Sequence, residues 1–411
     1  MHDVLSGIRV LEVASWTFVP AAGAVLADWG ADVIKVEHPV SGDPQRGLIT
    51  SGLIPGAAGV VNFMMEQPNR GKRSIGLDIS TPGGREVLYK LVESSDVFLT
   101  NFLPDARARL QIDLDDIRAV NPQIIYVRGH GQGTRGPDAH KGGYDGASYW
   151  ARGGIGASLT PADREWPISQ TAAFGDLNGG MTIAGGICGA LVKRERTGEP
   201  SVVDVSLLGL AMWTMSPNIL ASRLFDLPGG LPSFGTRPVA PNPLVGIYKT
   251  KDGRFISLVM LEADRFWADF VTHLGRGDLI DDPRFKDATV RQEHRAECLA
   301  ELDAAFATKT LDEWKTVFAD LAGVWAPVQN VYELYEDPQA VANGYVVHID
   351  AGDGGDGGGT FPVIANPVQF DETPPSLRGA PEHGQHTEEI LLELGLDWDA
   401  IVAHKEAGAV L

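Results

Sequence analysis

The chain has 411 residues, enough for two domains, and 44% of them are apolar, enough for a sizeable core. Its formal net charge is −20 and its pI is near 4.8, which argues against binding nucleic acid or an anionic membrane surface. No apolar run reaches the length of a membrane span and no basic-then-apolar leader opens the chain. Cys188 and Cys298 stand far apart in apolar contexts, so a cytoplasmic protein with buried free thiols is expected.

The first half alternates short apolar runs with amphipathic stretches. Residues 8–13 predict a strand, 19–29 a helix and 31–36 a second strand. A short strand over 74–78 precedes a helix opened by Thr81-Pro82 that runs to about 94. A strand over 96–100, a helical stretch over 104–120 and a strand over 124–127 follow. Repeated βα units with short links predict an α/β fold with a parallel sheet. Its ligand is expected beyond the carboxyl ends of the strands, at residues 14–20, 37–46, 101–105 and 128–137. The last of these is glycine-rich, Gly129-His130-Gly131-Gln132-Gly133-Thr134-Arg135-Gly136-Pro137, as a conformationally demanding loop would be.

The segment Phe174-Gly175-Asp176-Leu177-Asn178-Gly179-Gly180 opens a small-residue helix pattern. The pattern runs through Met181, Ile183, Ile187, Leu191 and Val192, and ends in Lys193, Arg194 and Arg196 before Gly198. The Asp176 carboxylate therefore stands where a helix begins. Unpaired N–H groups there are expected to keep it ionised and fix its direction, and the glycines to leave room for a bulky ligand. A fixed, ionised, accessible carboxylate is a candidate nucleophile; the same residue also reads as an ordinary helix cap.

Composition shifts near residue 223, and 226–246 are rich in Pro and Gly, as a linker would be. Residues 247–322 predict a compact α/β unit, with a strand over 255–259 and helices over about 263–274, 292–307 and 311–321. Glycines 354, 355 and 357–359 predict a loop tip, and a helix is expected near 386–394. The first strand's turn, Ala14-Ser15-Trp16-Thr17-Phe18-Val19-Pro20, lacks G-x-G-x-x-G, which disfavours a nicotinamide or flavin site. Gly71-Lys72-Arg73-Ser74 fails as a phosphate loop, because Arg73 stands where Ser or Thr is required and Glu66 where the earlier Gly belongs. No G-x-S-x-G elbow occurs, and His383 and His386 lack partners at ligand spacing, so no metal is expected.

Other segments converge on one family. They are Leu5-Ser6-Gly7-Ile8-Arg9-Val10-Leu11-Glu12, then Leu26-Ala27-Asp28-Trp29-Gly30-Ala31-Asp32-Val33-Ile34-Lys35-Val36-Glu37 with Gly42-Asp43. Asn69-Arg70-Gly71-Lys72-Arg73-Ser74-Ile75-Gly76-Leu77-Asp78, Asn101-Phe102, Gly131-Gln132 with Gly136-Pro137, and Gly175-Asp176 follow. Asp281-Asp282-Pro283-Arg284-Phe285, Ala322-Gly323-Val324, Pro327-Val328 and Asp337-Pro338-Gln339 complete the set. Over essentially its whole length the chain resembles the family III CoA transferases, the CaiB/BaiF group, which also includes α-methylacyl-CoA racemases. The resemblance implies an interlocked homodimer of ring-like chains. It implies a Rossmann-like large domain built from 1–222 and 326–411, the latter including a return linker, a linker over 223–246 and an inserted small α/β domain over 247–325.

The resemblance also implies roles. Asp176 falls at the family's nucleophile, which attacks an acyl-CoA thioester to give a mixed anhydride and then an enzyme-CoA thioester. Tyr144-Asp145 fall where formyl-CoA transferases have Tyr-Glu and the racemases His-Asp, and Thr17 replaces a glutamine of the polar pocket. Asn101, Phe102, Arg109 and Leu110 fall on the segment that holds the CoA nucleotide, and Leu77 on an apolar adenine contact. Three positions depart: His38 replaces an arginine, Ser80 a lysine, and Gly142 a lysine beside Lys141, so phosphate contacts are expected to shift, to Arg46 or Lys141. The glycine run of formyl-CoA transferase corresponds to Pro238-Val239-Ala240-Pro241-Asn242-Pro243, and Trp16, Phe18 and Trp150 lie near the pocket, which points to a larger acyl group. The expected activity is transfer of CoA from an acyl-CoA to a carboxylic acid, with CoA as substrate and no tightly bound cofactor. A racemase and a catalytically inactive acyl-CoA binder are the alternatives.

Overall fold

The computed structural model describes residues 3–49, 51, 61–161, 163–231, 242–350 and 360–411. Residues 238–241 of the proline-rich stretch and the glycine tip at 354–359 therefore lie outside the described residues, as does part of the linker.

Six strands form one sheet: β1 (Arg9–Val13), β2 (Asp32–Glu37), β3 (Arg73–Gly76), β4 (Val97–Thr100), β5 (Ile125–His130) and β6 (Val202–Ser206). Their spatial order is β3-β2-β1-β4-β5-β6, and every pairing is parallel. The central strands are apolar on both faces because both faces are covered. One face packs Val10, Val97, Leu99 and Val127 against α1 (Phe18–Asp28) and α7 (Phe174–Thr197). The other packs Leu11, Phe98 and Tyr126 against α3 (Pro82–Glu93), α5 (Leu114–Val120) and the two C-terminal helices, Thr387–Glu393 and Trp398–Glu406. Chain order reverses between β1 and β4, and at such a reversal the loops splay apart and leave a crevice beyond the carboxyl ends.

Several elements differ from the sequence reading. The stretch 104–120 is two helices, α4 (Pro104–Leu110) and α5. Gln111 at φ +55 ends the first, and Asp113 with Asp116 forms a capping box that starts the second. Strand β6 and helix α2 (Phe63–Asn69) were not foreseen; Asp204 is exposed mid-strand, and Pro68 sits inside α2. After the short α6 (Ile155–Leu159), helix α7 ends where expected, at Gly198 with φ +72.

The described chain forms two compact units, Met1–Leu220 with Pro338–Leu411, and Ala221–Asp337. In the first, the C-terminal residues extend the β3 end: Leu411 N–H donates to the Gly76 carbonyl and Asp78 N–H to that of Ala409. The second has three antiparallel strands where the sequence reading found one, β7 (Val245–Lys249), β8 (Phe255–Val259) and β9 (Trp325–Pro327). Its core packs Tyr248, Trp267, Phe270, Phe306, Trp314 and Phe318.

Candidate active site

A cavity of about 460 Å³ opens at the β1/β4 reversal. Ser15 and Trp16 reach it from the β1 end, Asn101 and Phe102 from the β4 end, and Gly129, His130 and Gly131 from the β5 end. Arg109 and Leu110 enter from α4, Lys141, Gly142 and Tyr144 from the loop beyond β5, and Asp176 from the start of α7. The reversal is stitched by Asn101, whose amide donates to the Ser15 carbonyl at 2.7 Å and accepts the Ser15 N–H at 3.2 Å. The Arg107 guanidinium fixes the next turn by donating to the Phe102 carbonyl at 2.7 Å.

Asp176 is the third residue of α7, after Ala173 in the left-handed region at φ +60. Its carboxyl is partly buried and, among the described residues, accepts no hydrogen bond. The helix N-terminus instead serves Asp145, 6% exposed, whose Oδ2 accepts the Gly175 N–H at 2.9 Å. Asp145 begins a π-helical segment, Asp145–Ala151, a rare geometry common near functional sites. Burial raises the Asp145 pKa, opposed by that N–H. Burial, and then the Asp145 charge, push the Asp176 carboxyl up to about 7. The expectation that free N–H groups hold Asp176 ionised is thus corrected: they hold its neighbour, and the neighbour's field works against ionisation of Asp176.

The glycines around Asp176 also serve another purpose than ligand access. A Cβ on Gly175 would lie 2.4 Å from the Tyr149 ring and 2.6 Å from Asp145 Oδ1. One on Gly179 would lie 2.3 Å from the Phe18 ring, and one on Gly180 2.5 Å from Ala21 Cβ. They let α7 close onto α1 and onto Asp145, which sets the position of Asp176. In the β5 loop, Gly131 faces Gly143, where a Cβ would meet the Gly143 Cα at 2.6 Å; Gly133 and Gly136 carry the positive φ values, +103 and +94.

The structure gathers Asp176, Tyr144, Asn101, Phe102, Arg109, Leu110, Lys141 and Gly142 on one cavity, with Asp145 directly behind. Tyr144 is 64% exposed and edge-on to Trp16. Among the described residues Arg109 has no ion-pair partner, whereas Lys141 pairs with Asp138 at 2.8 Å. Thr17 is buried off the cavity wall, its Oγ1 accepting from Gln45 Nε2 at 3.0 Å. Leu77 is 1% exposed, bridged to Val410 and part of the core. His38 and Ser80 also lie off the wall. His38 Nδ1 accepts the Val40 and Ser41 N–H groups, and the Ser80 hydroxyl donates to Asp78 at 2.6 Å. Arg46 is committed to Glu37 through two bonds of 2.7 Å, so it is not a spare phosphate ligand. Trp150 also lies off the wall, edge-on to Phe174, with its Nε1 donating to the Ile168 carbonyl at 2.8 Å.

His130 was not singled out by sequence. It lines the cavity, and its Nε2 lies 3.1 Å from Asp204, which Arg128 also binds, at 2.8 and 3.0 Å. The period of two along β5 carries the signal, since Arg128 and His130 share a face at the strand's carboxyl end.

The profile of CoA-transferase family III matches residues 5–387. The cinnamoyl-CoA:phenyllactate CoA-transferase of Clostridium sporogenes is 32% identical over 395 residues, covering 96% of this chain and 94% of the relative. The (R)-2-hydroxy-4-methylpentanoate CoA-transferase of Clostridioides difficile is 31% identical over 408 residues, 99% of each chain. Among solved structures, a CAIB/BAIF family protein from Brucella suis is similar with a TM-score of 0.78 and 29% identity, covering 96% of this chain and 100% of that one.

Proposed function

Because this chain belongs to CoA-transferase family III and is an enzyme of that type, we propose that it moves CoA from an acyl-CoA to a carboxylic acid through covalent intermediates on Asp176. The observation that carries this reading is a carboxyl that accepts no hydrogen bond among the described residues, facing a cavity whose wall also presents Arg109, which has no ion-pair partner among them. The ionised Asp176 attacks the thioester carbonyl, and CoA leaves as thiolate, giving a mixed anhydride. The thiolate attacks the aspartyl carbonyl and releases the donor's acid, leaving an aspartyl-CoA thioester. The acceptor carboxylate attacks that thioester to form a second anhydride and free thiolate. The thiolate then takes the acceptor's acyl group, and Asp176 is regenerated. Water must be kept from both anhydrides, and the low polarity that raises the Asp176 pKa is the same property of the site.

Arg109 is the proposed phosphate partner of CoA, with Asn101, Phe102 and Leu110 along the same wall. Lys141, released from Asp138, is a second, since Arg152 at 2.6 Å would still neutralise that carboxylate. Tyr144 and Asp145 are proposed to flank the reacting carbonyl. CoA is substrate here, not resident cofactor. The named relatives act on cinnamoyl-CoA, phenyllactate and (R)-2-hydroxy-4-methylpentanoate, so an apolar acid of that size is the proposed acceptor class. An interlocked homodimer with an inserted small domain over 247–325 is proposed with the family. Met212 and Trp213, 51% and 79% exposed, fit a covered face. Among the described residues no helix is long and apolar enough to cross a membrane, and a cytoplasmic enzyme is proposed.

Transfer is separated from racemisation in heavy water. A 2-methylacyl-CoA incubated with enzyme should gain no α-deuterium, and CoA should appear on an added carboxylic acid. Rapid α-deuteration without any acceptor would overturn the transferase reading. At the position where the racemases have His this chain has Tyr144, and a phenol is a poorer general base than an imidazole.

A further inference from the structure

The turn that follows β1 is held at four consecutive residues by side chains from elsewhere in the chain. Lys35 Nζ donates to the Ala14 carbonyl at 3.0 Å. Asn101 binds both backbone groups of Ser15. The Trp16 N–H donates to Asp43 Oδ1 at 3.1 Å, and Gln45 Nε2 donates to the Thr17 hydroxyl. Lys35, Asp43 and Gln45 are all buried, and they brace one another: Lys35 Nζ is 2.8 Å from Asp43 Oδ2, and the Gln45 N–H donates to Asp43 Oδ1 at 2.9 Å.

What this bracing holds is Trp16 at φ +70. A bulky L-residue avoids that region, and keeps it only where its surroundings over-determine the backbone. Core packing does not account for the indole, which belongs to none of the hydrophobic clusters among the described residues. It lines the cavity, edge-on to Tyr144 with ring centroids 5.6 Å apart and planes at 89°. This places it at the reacting end, because Asp145 follows Tyr144 and accepts the N–H of Gly175, next to Asp176. Phe18, wedged between Gly129 and Gly179, supplies a second aromatic wall that has no room to move.

We propose that Trp16 is the specificity-determining residue of this cavity. Its indole is the wall on which an apolar branched or aromatic acyl group packs, and it disfavours short or charged acyl groups. The proposal rests on the transferase reading above. The braced turn fixes the Trp16 backbone, and so the point from which the indole projects into the cavity.

The test uses the full-length enzyme with hydrocinnamoyl-CoA, isocaproyl-CoA and acetyl-CoA as donors to one common acceptor. Trp16→Gly removes the wall while glycine accepts the positive φ, so the turn is kept. The ratio of kcat/KM for hydrocinnamoyl-CoA over acetyl-CoA should favour the aromatic donor in the wild type. It should fall by about tenfold or more in Trp16→Gly, with Trp16→Phe between them, the scale of discrimination that an apolar pocket contact supplies. A wild type that prefers acetyl-CoA, or a ratio that Trp16→Gly leaves unchanged, overturns the assignment. Covalent CoA on the wild-type protein with an unchanged ratio sinks the Trp16 proposal alone. No covalent CoA from any donor sinks the transferase reading beneath it.

Discussion

Asp176 must be ionised to attack, yet burial and then the Asp145 charge raise its pKa to about 7. Adduct formation in single-turnover experiments should therefore rise with pH through about 7. Asp145→Asn keeps an acceptor for the Gly175 N–H and removes the opposing charge, so the rise should move to lower pH. An unmoved midpoint would remove Asp145 as a cause. The same shift has a consequence for stability. The folded pKa lies above the ordinary value, so the native state holds more protons between 3.8 and about 7, and stability falls as pH rises through that window. Asp176→Asn should accordingly melt at a higher temperature than wild type at pH 8, the difference vanishing at pH 3.5. Equal melting temperatures at pH 8 would contradict the raised pKa. At the other wall, Arg109→Ala should weaken CoA binding by about 1.5–3 kcal/mol in calorimetry, the scale of a charge-assisted hydrogen bond, with a smaller change in kcat. An unchanged dissociation constant would reassign the phosphate contact.

At the scale of elements, the closure of α7 onto α1 positions the nucleophile, and it depends on missing side-chain atoms. Gly179→Ala would drive a methyl group to 2.3 Å from the Phe18 ring, which is itself confined by Gly129. A loss of about 1–3 kcal/mol in denaturant unfolding is expected, with reduced activity as Asp176 shifts. A stability change near zero would show that Phe18 can yield. The sequence announced α7 well, because its apolar period, basic last turn and Gly198 are local signals. It announced the central strands because both faces are buried. It did not announce why Gly175, Gly179 and Gly180 are glycine, since what a missing Cβ faces is a tertiary fact. The partners of Asp145, of Thr17 and of the Trp16 N–H were hidden for the same reason; Gln45 lies 28 residues from Thr17. The break between α4 and α5 was legible in Asp113 and Asp116 but was masked by continuous helical spacing. Of the residues placed by family resemblance, those beyond β4 and β5, on α4 and at the start of α7 gather at the cavity, whereas His38 and Leu77 at the ends of β2 and β3, with Ser80 and Thr17, lie off its wall.

At the scale of the whole molecule, the proposed interlocking makes the dimer inseparable without unfolding. Sedimentation over a wide dilution series should show no folded monomer, and a concentration-dependent folded monomer would contradict the threaded arrangement. The surplus of 20 negative charges makes local cations such as Arg109 decisive for admitting a polyanionic substrate, so CoA affinity should fall with added salt. What decides the proposed reaction, however, is covalent chemistry at one carboxylate. Its most direct test is peptide mapping by mass spectrometry after incubation with an acyl-CoA donor and hydroxylamine. Modification confined to the peptide that carries Asp176, and absent from Asp176→Ala along with transferase activity, is the expected result. Modification elsewhere, or an Asp176→Ala enzyme that retains a substantial fraction of the wild-type rate, would contradict it.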